Sequence, residues 1–191
     1  MGKLQAAIVA ALLSLVCAAA FAQTGSGAAR INFGGQDYVH RWSKDGQHEY
    51  TPPDEPDLKQ WHRMVTIIVH EKVKNGEDLA KLANAVLSNY ERVGKVVRTD
   101  SKPRTSTTEA EHLVVVIFGR PGFVEAAFAR VKLVAGVGTV TVFSRREYGD
   151  TAKKVIGDWL IQNGTPVEAS LMTWEKMPAL AALKQLPQAT D

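Results

Sequence analysis

The segment EHLVVVIFGRPGFVEAAFARVKLVAGVGTVTVFSRREYGD, residues 111–150, decides the fold class. Its first ten residues contain an apolar run that is typical of a strand buried on both faces. Residues 123–135 are rich in alanine and could form a helix, but the β-prone residues after Gly136 favour a strand that turns there and returns. Strands that follow one another through short turns pair antiparallel. The segment therefore predicts three consecutive strands of an antiparallel sheet.

Two further strands and a helix are predicted before this segment. Residues 61–70, WHRMVTIIVH, contain a β-branched run typical of a strand, and residues 95–102 form another strand. Between them, residues 75–94 have apolar side chains at three- and four-residue spacings, which indicates an amphipathic helix that covers a sheet. Asn75 can cap the start of this helix, and Gly94 suits the position just after its end.

Two helices are predicted after the strands. Residues 151–164 have an apolar face and follow Asp150, which can act as an N-cap. Residues 165–168, TPVE, have the spacing of a capping box, so a second helix is expected to reach about Lys176. Residues 179–191 are predicted to be a C-terminal tail. The order of elements predicts an α+β fold, a mostly antiparallel sheet with helices packed on it as in an α/β/α sandwich.

This order of elements resembles the PsbP-like α/β/α sandwich superfamily, which contains small secreted or lumenal proteins and nuclear-transport cofactors. The resemblance covers most of the chain after residue 22 and rests on element order. It implies a non-enzymatic protein that acts by binding or assembly. Because one fold hosts unrelated functions, no functional residue is transferred from the superfamily to this chain.

The N-terminus has the features of a secretory signal peptide. Lys3 precedes an apolar run that ends in small residues, a pattern that predicts cleavage after Ala22. The apolar run is shorter than the roughly 20 residues that a membrane-spanning helix requires. We therefore expect export to the periplasm or beyond the cell, with a signal peptide at residues 1–22, a flexible leader at residues 23–30 and one domain at residues 31–178.

The cysteine content and the charge exclude several classes of site. Cys17 is the single cysteine and lies in the predicted signal peptide. Val16 precedes it where a lipoprotein signal requires a small residue, so cleavage after Ala22 is favoured over lipid attachment. The mature chain would then have no disulfide, thiol nucleophile or thiolate metal site. The chain has 23 basic and 20 acidic residues, a balance that does not indicate a nucleic-acid partner.

The stretch YVHRWSKDGQHEYTPP, residues 38–53, contains most of the candidate site residues. Asp45-Gly46 predicts the turn of a β-hairpin, and two loop lengths are compatible with the sequence. A two-residue loop would place His40 and His48 on opposite faces of the hairpin. A three-residue loop, residues 44–46, would place the two histidines on the same face.

The three-residue loop is favoured because it sorts the side chains by chemistry. It pairs Arg41 with Glu49 on one face. The other face would carry Tyr38, His40, Trp42, His48 and Tyr50. We expect this face to be an aromatic wall of the core, with a ligand-binding cleft and a metal site as alternatives. Zinc takes three or four ligands, so two histidines do not predict a metal site, and no cofactor is expected.

A second candidate site lies at the end of the last strand. Arg145 and Arg146 precede a predicted helix, and paired arginines can hold a carboxylate or a phosphate. A solvated strand end is the alternative interpretation. With the hairpin, this site completes the candidate ligand-binding set, which is His40, Trp42, His48, Tyr50, Arg145 and Arg146.

The sequence has no catalytic signature. It lacks the nucleophile elbow of α/β-hydrolases, the zinc-protease helix and the phosphate-binding loop of nucleotidases. No catalytic residue is therefore predicted. The main hypothesis is a binding or assembly-factor domain that contacts an unknown protein partner, with an exposed aromatic patch that includes Trp42 and Trp61. The alternative is a small-ligand or metal-binding protein, or a small hydrolase, that uses the hairpin face with Arg145 or Arg146.

Overall fold

The computed structural model describes residues 26–190, which form one antiparallel sheet with helices on both faces. The strands are β1 (Arg30–Phe33), β2 (Gln36–Lys44), β3 (Gln47–Thr51), β4 (Arg63–His70), β5 (Lys95–Lys102), β6 (Glu111–Arg120), β7 (Phe123–Val134) and β8 (Val137–Tyr148). The helices are α1 (Ser26–Ala29), α2 (Gly76–Val93), α3 (Ala152–Met172) and α4 (Leu180–Leu183). The strand order is β1-β2-β3-β4-β8-β7-β6-β5, and each neighbouring pair is antiparallel. The predicted α+β fold is confirmed.

The segment of residues 111–148 forms the three predicted strands. The alanine-rich part is strand β7, and the turn that follows it is formed by Ala135 and Gly136, with φ angles of 49° and 74°. Two consecutive left-handed residues suit a tight hairpin between long strands. The apolar run of β6 is buried on both faces, since Val114, Val115 and Val116 are nearly inaccessible to solvent.

The two faces of the sheet form two separate cores. On the face that we call the α3 face, helix α3 packs on β7 and β8, and Phe128 and Phe143 contact Trp159 of the helix. On the opposite face, the α2 face, helix α2 packs on β5, β6 and β7. There Leu79 and Ala83 of the helix pack against the sheet. These two layers make the predicted α/β/α sandwich.

Helix α2 begins as predicted and ends for a different reason. The Asn75 side chain accepts a hydrogen bond from the Asp78 N–H at 2.9 Å, which makes it the N-cap. Gly94 follows the helix with an extended backbone, φ −158°, and not in the left-handed conformation of many helix ends. A Cβ atom at Gly94 would lie 2.5 Å from the Ile117 carbonyl oxygen and 2.7 Å from the Phe118 Cβ. Glycine is therefore required by close packing against β6.

The two helices predicted after the strands are one continuous helix, α3. It runs through Gly164 and Pro166, which the sequence pattern placed at a helix end and a new start. Ile156 in the first half and Leu171 in the second half are both fully buried in the same core. Tertiary packing at both ends therefore outweighs the local stop signals.

Both ends of the described chain belong to the domain. Residues 26–29 of the predicted leader are helical, and Ala28 is buried. In the predicted tail, Leu183 and Leu186 are buried in the α3-face core, and the Ala189 N–H donates to the Ser43 carbonyl oxygen at 2.7 Å. Apolar residues at helical spacing therefore extend the domain past residue 178. The predicted signal peptide lies outside the described residues. Within residues 26–190, no helix is long and apolar enough to cross a membrane.

Candidate functional site

The β2–β3 hairpin turns through two residues. Asp45 and Gly46 have φ angles of 51° and 81°, and Lys44 pairs with Gln47 across the turn. Two left-handed residues match the twist of the flanking strands, and Asp-Gly is a favoured sequence for such turns. The three-residue loop favoured from the sequence is therefore wrong.

A β-bulge then shifts the register along β2. The shift lies between His40 and Trp42, so Arg41 is the extra residue of the bulge. His40 pairs with Tyr50, as predicted, whereas Trp42 pairs with Glu49 and not with a histidine. Because the bulge compensates for the shorter loop, both histidines still lie on one face, together with Tyr38 and Tyr50.

Trp42 lies on the opposite face from the histidines. Its partner Glu49 pairs with Thr66, and Thr66 pairs with Val142, which is part of the α2-face core. The predicted grouping of Trp42 with the histidines is therefore wrong. The reason is the bulge, because one extra residue reverses the side to which all the following side chains point.

The predicted ion pair between Arg41 and Glu49 does not form. Arg41 instead donates to Thr51 Oγ1 at 2.9 Å and to the Pro52 carbonyl oxygen at 3.0 Å. Glu49 accepts a hydrogen bond from Gln47 at 2.8 Å. The bulged arginine therefore ties the hairpin to the proline-rich loop that follows it.

Ser43 joins the two histidines in a hydrogen-bonded relay. His40 Nε2 lies 2.6 Å from Ser43 Oγ, and the same oxygen lies 2.7 Å from His48 Nδ1. The His40 ring also stands edge-on to the ring of Tyr50, with centroids 5.4 Å apart. Serine at this position carries no motif, so the relay could be found only from the three-dimensional register.

The relay does not have the properties of a catalytic serine. Ser43 is 0% exposed, so a substrate cannot reach its hydroxyl. Its oxygen is occupied by both imidazoles at hydrogen-bond distance, and Tyr50 beside them is fully buried. The hairpin face therefore resembles the expected aromatic wall more than an open active site.

One side of this wall borders a cavity. A space of about 340 Å³ lies between the hairpin turn, the end of β4 and helix α4. His48 lines it, whereas the other five candidate residues do not. The lining residues are Asp45, Gly46, His48, Val69, Glu71, Leu180, Leu183, Lys184 and Gln188. The C-terminal residues of this set were predicted to lie in a tail outside the domain.

Arg145 and Arg146 point to opposite faces of the sheet, so they do not clamp one anion. Consecutive residues of a strand alternate between faces. Arg145 pairs across strands with Arg63 and Ala126, and its guanidinium contacts the Glu147 carboxylate. The anion-clamp interpretation of the two arginines is therefore wrong in its geometry.

Arg146 belongs to a structural cluster on the α2 face. Its guanidinium carbon lies 4.0 Å from the centroid of the Trp61 ring and 3.9 Å from that of Phe123. Both Nε and Nη2 donate to one carboxylate oxygen of the buried Glu125, at 2.9 and 2.7 Å. These contacts fix the arginine in a structural role. Trp61 is 3% exposed, so it cannot form the exposed patch predicted for it with Trp42.

The α2 face is open beside helix α2. The helix packs on β5, β6 and β7, and in the described part of the chain no helix makes comparable contact with this face of β2, β3 and β4. Trp42, Thr66 and Ile68 are half-buried there. We call this part of the sheet, with the adjoining side of α2, the open face.

A groove runs between α2 and the strands at the inner border of the open face. Its volume is about 330 Å³. The lining side chains are mainly hydrocarbon and are Ile68, His70, Leu82, Ala85, Val86, Asn89, Tyr90, Val140 and Val142. Burial raises the pKa of Tyr90 to about 12, and the Glu125 charge adds to this effect, so the phenol stays neutral at neutral pH.

Stability is expected to fall when the pH is lowered from about 7.5 to about 5.5. Burial lowers the pKa of His48, and the His40 charge lowers it further. Burial also lowers the pKa of His40, against a backbone hydrogen bond at Trp42, and lowers that of His70. As the pH falls, these histidines therefore bind protons in the unfolded chain before they do so in the folded protein. The free energy of unfolding decreases below about pH 6.5 as a result. Urea denaturation across this range measures it, and constant or rising stability would contradict the assignment.

Comparison with known proteins finds a distant likeness among solved structures. No family model matches the chain, and no curated protein matches it. Among solved structures, it is similar to the 1.9 Å crystal structure of the Saccharomyces cerevisiae Ran-binding protein Mog1p, with a TM-score of 0.35 and 11% identity. The match covers 82% of this chain and 88% of that chain. Within residues 26–190, no group of three or more histidine, cysteine, aspartate or glutamate side chains could hold a metal ion.

Proposed function

We propose that this protein is an exported binding or assembly-factor domain that acts by contact with another protein through the open face. The observation that carries the proposal is the incomplete helical layer on the α2 face. Helix α2 covers β5, β6 and β7, and among residues 26–190 no helix makes comparable contact with the same face of β2, β3 and β4. Export is proposed from the signal-like sequence before Ala22.

The shape of the open face suits a macromolecular partner. The strands β2, β3 and β4 form a floor, and the exposed side of α2 forms one wall with the apolar groove at its base. Half-buried apolar side chains such as Trp42 and Ile68 stand on this floor. Protein interfaces combine such apolar contacts with polar groups at their edges.

The charges on the open face also favour a protein over a polyanion. Lys44 and Glu49 are of opposite sign, and Glu49 is held by a hydrogen bond from Gln47. A nucleic-acid surface requires a concentration of arginine and lysine, because binding depends on neutralising phosphates. The mixed charges of the open face do not form such a concentration of positive charge.

Photo-crosslinking tests the proposal at single positions. Ala85 is exposed on the groove side of α2, and Ile161 is 86% exposed on α3, in the other helical layer. Replacing either residue by the photoreactive p-benzoylphenylalanine should leave the fold intact. We expect position 85 to form one crosslinked product in the producing cell that excess unlabelled protein suppresses. Position 161 is the matched control and should not form it.

Two results would count against the open face. Identical products from positions 85 and 161 would indicate non-specific contact. The absence of any competed product from position 85, in cells where the protein is exported and folded, would remove the open face as the docking surface. Cell fractionation in the same experiment tests export separately.

A further inference from the structure

A small cavity lies on the α3 face where β7 ends, beside the connection between α3 and α4. We call it the β7 cavity. It is lined by three charged residues and by apolar side chains, among them Arg130, Lys132, Glu175, Leu133, Trp174 and Met177. Its volume is about 210 Å³, which is below the roughly 300–1,000 Å³ of pockets for drug-sized ligands, so a ligand bound there must be small.

Arg130 directs one of its hydrogen bonds towards an exposed acceptor at this cavity. Its Nη1 donates to the carbonyl oxygens of Leu171 and Trp174. Its Nε and Nη2 donate to Glu111. A guanidinium has five N–H donors, and the fifth hydrogen bond runs from Nη2 to Glu175 Oε1 at 3.2 Å. Four donors are therefore committed to the fold, and the fifth meets the Glu175 carboxylate.

Lys132 supplies a second donor to the same carboxylate. Its Nζ lies 3.2 Å from Oε1 of Glu175 and 3.4 Å from Oε2. The Lys132 side chain is 18% exposed, and that of Arg130 is 3% exposed. Two cations with little exposure therefore converge on one carboxylate at the cavity. Charge-assisted hydrogen bonds of this kind also hold the carboxylate groups of ligands.

Glu175 is the exposed acid of this cluster, since its side chain is 71% exposed and that of Glu111 is 17% exposed. Exposed ion pairs contribute little to stability, so the Glu175 carboxylate can leave at little cost when another acceptor replaces it. The backbone beside it is held, because Trp174 is buried and its Nε1 donates to the Asn32 carbonyl oxygen at 2.9 Å. Exchange therefore requires rotation of the Glu175 side chain and not an opening of the chain.

The charge balance of the cluster indicates the class of ligand. Arg130 and Lys132 carry two positive charges, and Glu111 and Glu175 carry two negative charges. When the Glu175 side chain turns away, the cluster is left with a net positive charge. One carboxylate restores the balance and accepts the two hydrogen bonds that Glu175 gave up, while a hydrocarbon body contacts the apolar lining.

We propose that the β7 cavity binds a small organic acid, a carboxylate on an apolar body, which displaces the carboxylate of Glu175. Arg130 and Lys132 hold the acid group, and Trp174 is part of the apolar surface that contacts the body. The cavity lies on the α3 face, whereas the open face is on the other side of the sheet. The proposal therefore does not depend on the open face or on a protein partner.

Titration of the full chain with benzoate at neutral pH tests this assignment, with benzyl alcohol and benzylamine as probes of similar shape and different charge. The chain has four tryptophans, and the indole N–H of Trp174 reports on the cavity in ¹H–¹⁵N spectra. We expect benzoate to shift the Trp174 signal saturably and to leave that of Trp42, on the open face, unchanged. Benzyl alcohol should bind at least about tenfold more weakly, and benzylamine should not bind.

Replacing Glu175 with glutamine distinguishes exchange from a fixed ion pair. Glutamine keeps the length of the side chain and lacks its charge, so benzoate no longer competes with a tethered carboxylate. Its affinity should rise about five- to tenfold. Glu77→Gln is the matched control, because that side chain is 81% exposed at the start of α2 and should leave the affinity unchanged. Lys132→Gln should weaken benzoate about tenfold.

Several results would overturn the proposal. Unchanged or weaker binding of benzoate to Glu175→Gln would show that this carboxylate does not occupy the ligand position. Equal rises in Glu175→Gln and Glu77→Gln would indicate general attraction of anions. Equal binding of benzoate and benzyl alcohol, unchanged affinity in Lys132→Gln, or linear, unsaturable shifts would also contradict a carboxylate site.

Discussion

Replacing Arg130 with methionine is expected to lower the free energy of unfolding by about 3–5 kcal/mol. The Arg130 side chain is 3% exposed and lies on the α3 face. Its Nη1 donates to the carbonyl oxygens of Leu171 and Trp174, both at 2.9 Å. Leu171 lies in the last turn of α3, where its carbonyl also accepts a 3.3 Å bond from the Trp174 N–H, and Trp174 follows the helix. Carbonyls at a helix end lack the regular donors of the helix interior. Arg130 therefore caps the C-terminus of α3 from the sheet.

The same guanidinium also neutralises a carboxylate. Nη2 and Nε of Arg130 donate to one oxygen of Glu111 at 2.7 and 3.0 Å. Burial alone would raise the pKa of Glu111, but the hydrogen bond and charge of Arg130, with the charges of Lys132 and Lys102, lower it below its usual value. Methionine keeps the length of the side chain and leaves the carboxylate and both carbonyls without these donors.

The matched control is Arg98→Met. Arg98 also joins the sheet to α3, through Glu168 at 3.0 Å, but its side chain is 52% exposed. Exposed ion pairs contribute about 0–1 kcal/mol, so the loss should be small. Urea denaturation of both variants at neutral pH measures the difference. Similar losses in both variants would show that burial does not determine the contribution of Arg130.

The second large effect is expected from Gly94→Ala, which should lower the free energy of unfolding by about 1–3 kcal/mol. The new Cβ would approach the Ile117 carbonyl oxygen at 2.5 Å. That oxygen is part of β6, an interior strand of the sheet, and the neighbouring Phe118 Cβ is also closer than van der Waals contact. Neither atom is the end of a flexible side chain, so the backbone between α2 and β5 must move.

Gly157→Ala is the control for the glycine substitution. Gly157 lies inside α3, and a Cβ there meets no atom within 4 Å. Alanine favours a helix by roughly 0.8–1 kcal/mol over glycine, so this variant should be more stable than the natural chain. Thermal unfolding of the two variants should therefore shift in opposite directions. A Gly94→Ala protein as stable as the natural chain would contradict the close approach to β6.

Local patterns predicted the elements whose signals agree with their packing. The β-branched run of residues 63–70 and the apolar run of residues 111–120 form strands because both fill interior positions of the sheet. The Asn75 cap and the apolar spacing predicted α2 for the same reason. In these segments propensity, periodicity and burial agree.

Other features depend on contacts between distant parts of the chain. The bulge at Arg41 follows from its bonds to Thr51 and Pro52, which no periodicity encodes. Helix α3 passes through Pro166 because its two ends pack into one core. The candidate cavity was missed because its wall is formed by α4, in a segment with a tail-like composition.

The candidate site was predicted only in part, because its geometry depends on such contacts between distant parts of the chain. His40 and His48 do share a face, but Ser43 between them carried no sequence signal. Trp42 belongs to the open face, because the bulge changes its side. Arg145 and Arg146 separate because adjacent residues of a strand alternate.

The most direct test of the central claim is the affinity of the protein partner that crosslinks at position 85. Its dissociation constant should be measured for the natural chain, for Ala85→Glu on the open face and for Ile161→Glu on the other layer. Both positions are exposed on helices, so neither substitution should affect folding. We expect Ala85→Glu to weaken binding at least about tenfold, or 1.4 kcal/mol, and Ile161→Glu to leave it unchanged. Equal affinity of the two variants would contradict docking on the open face.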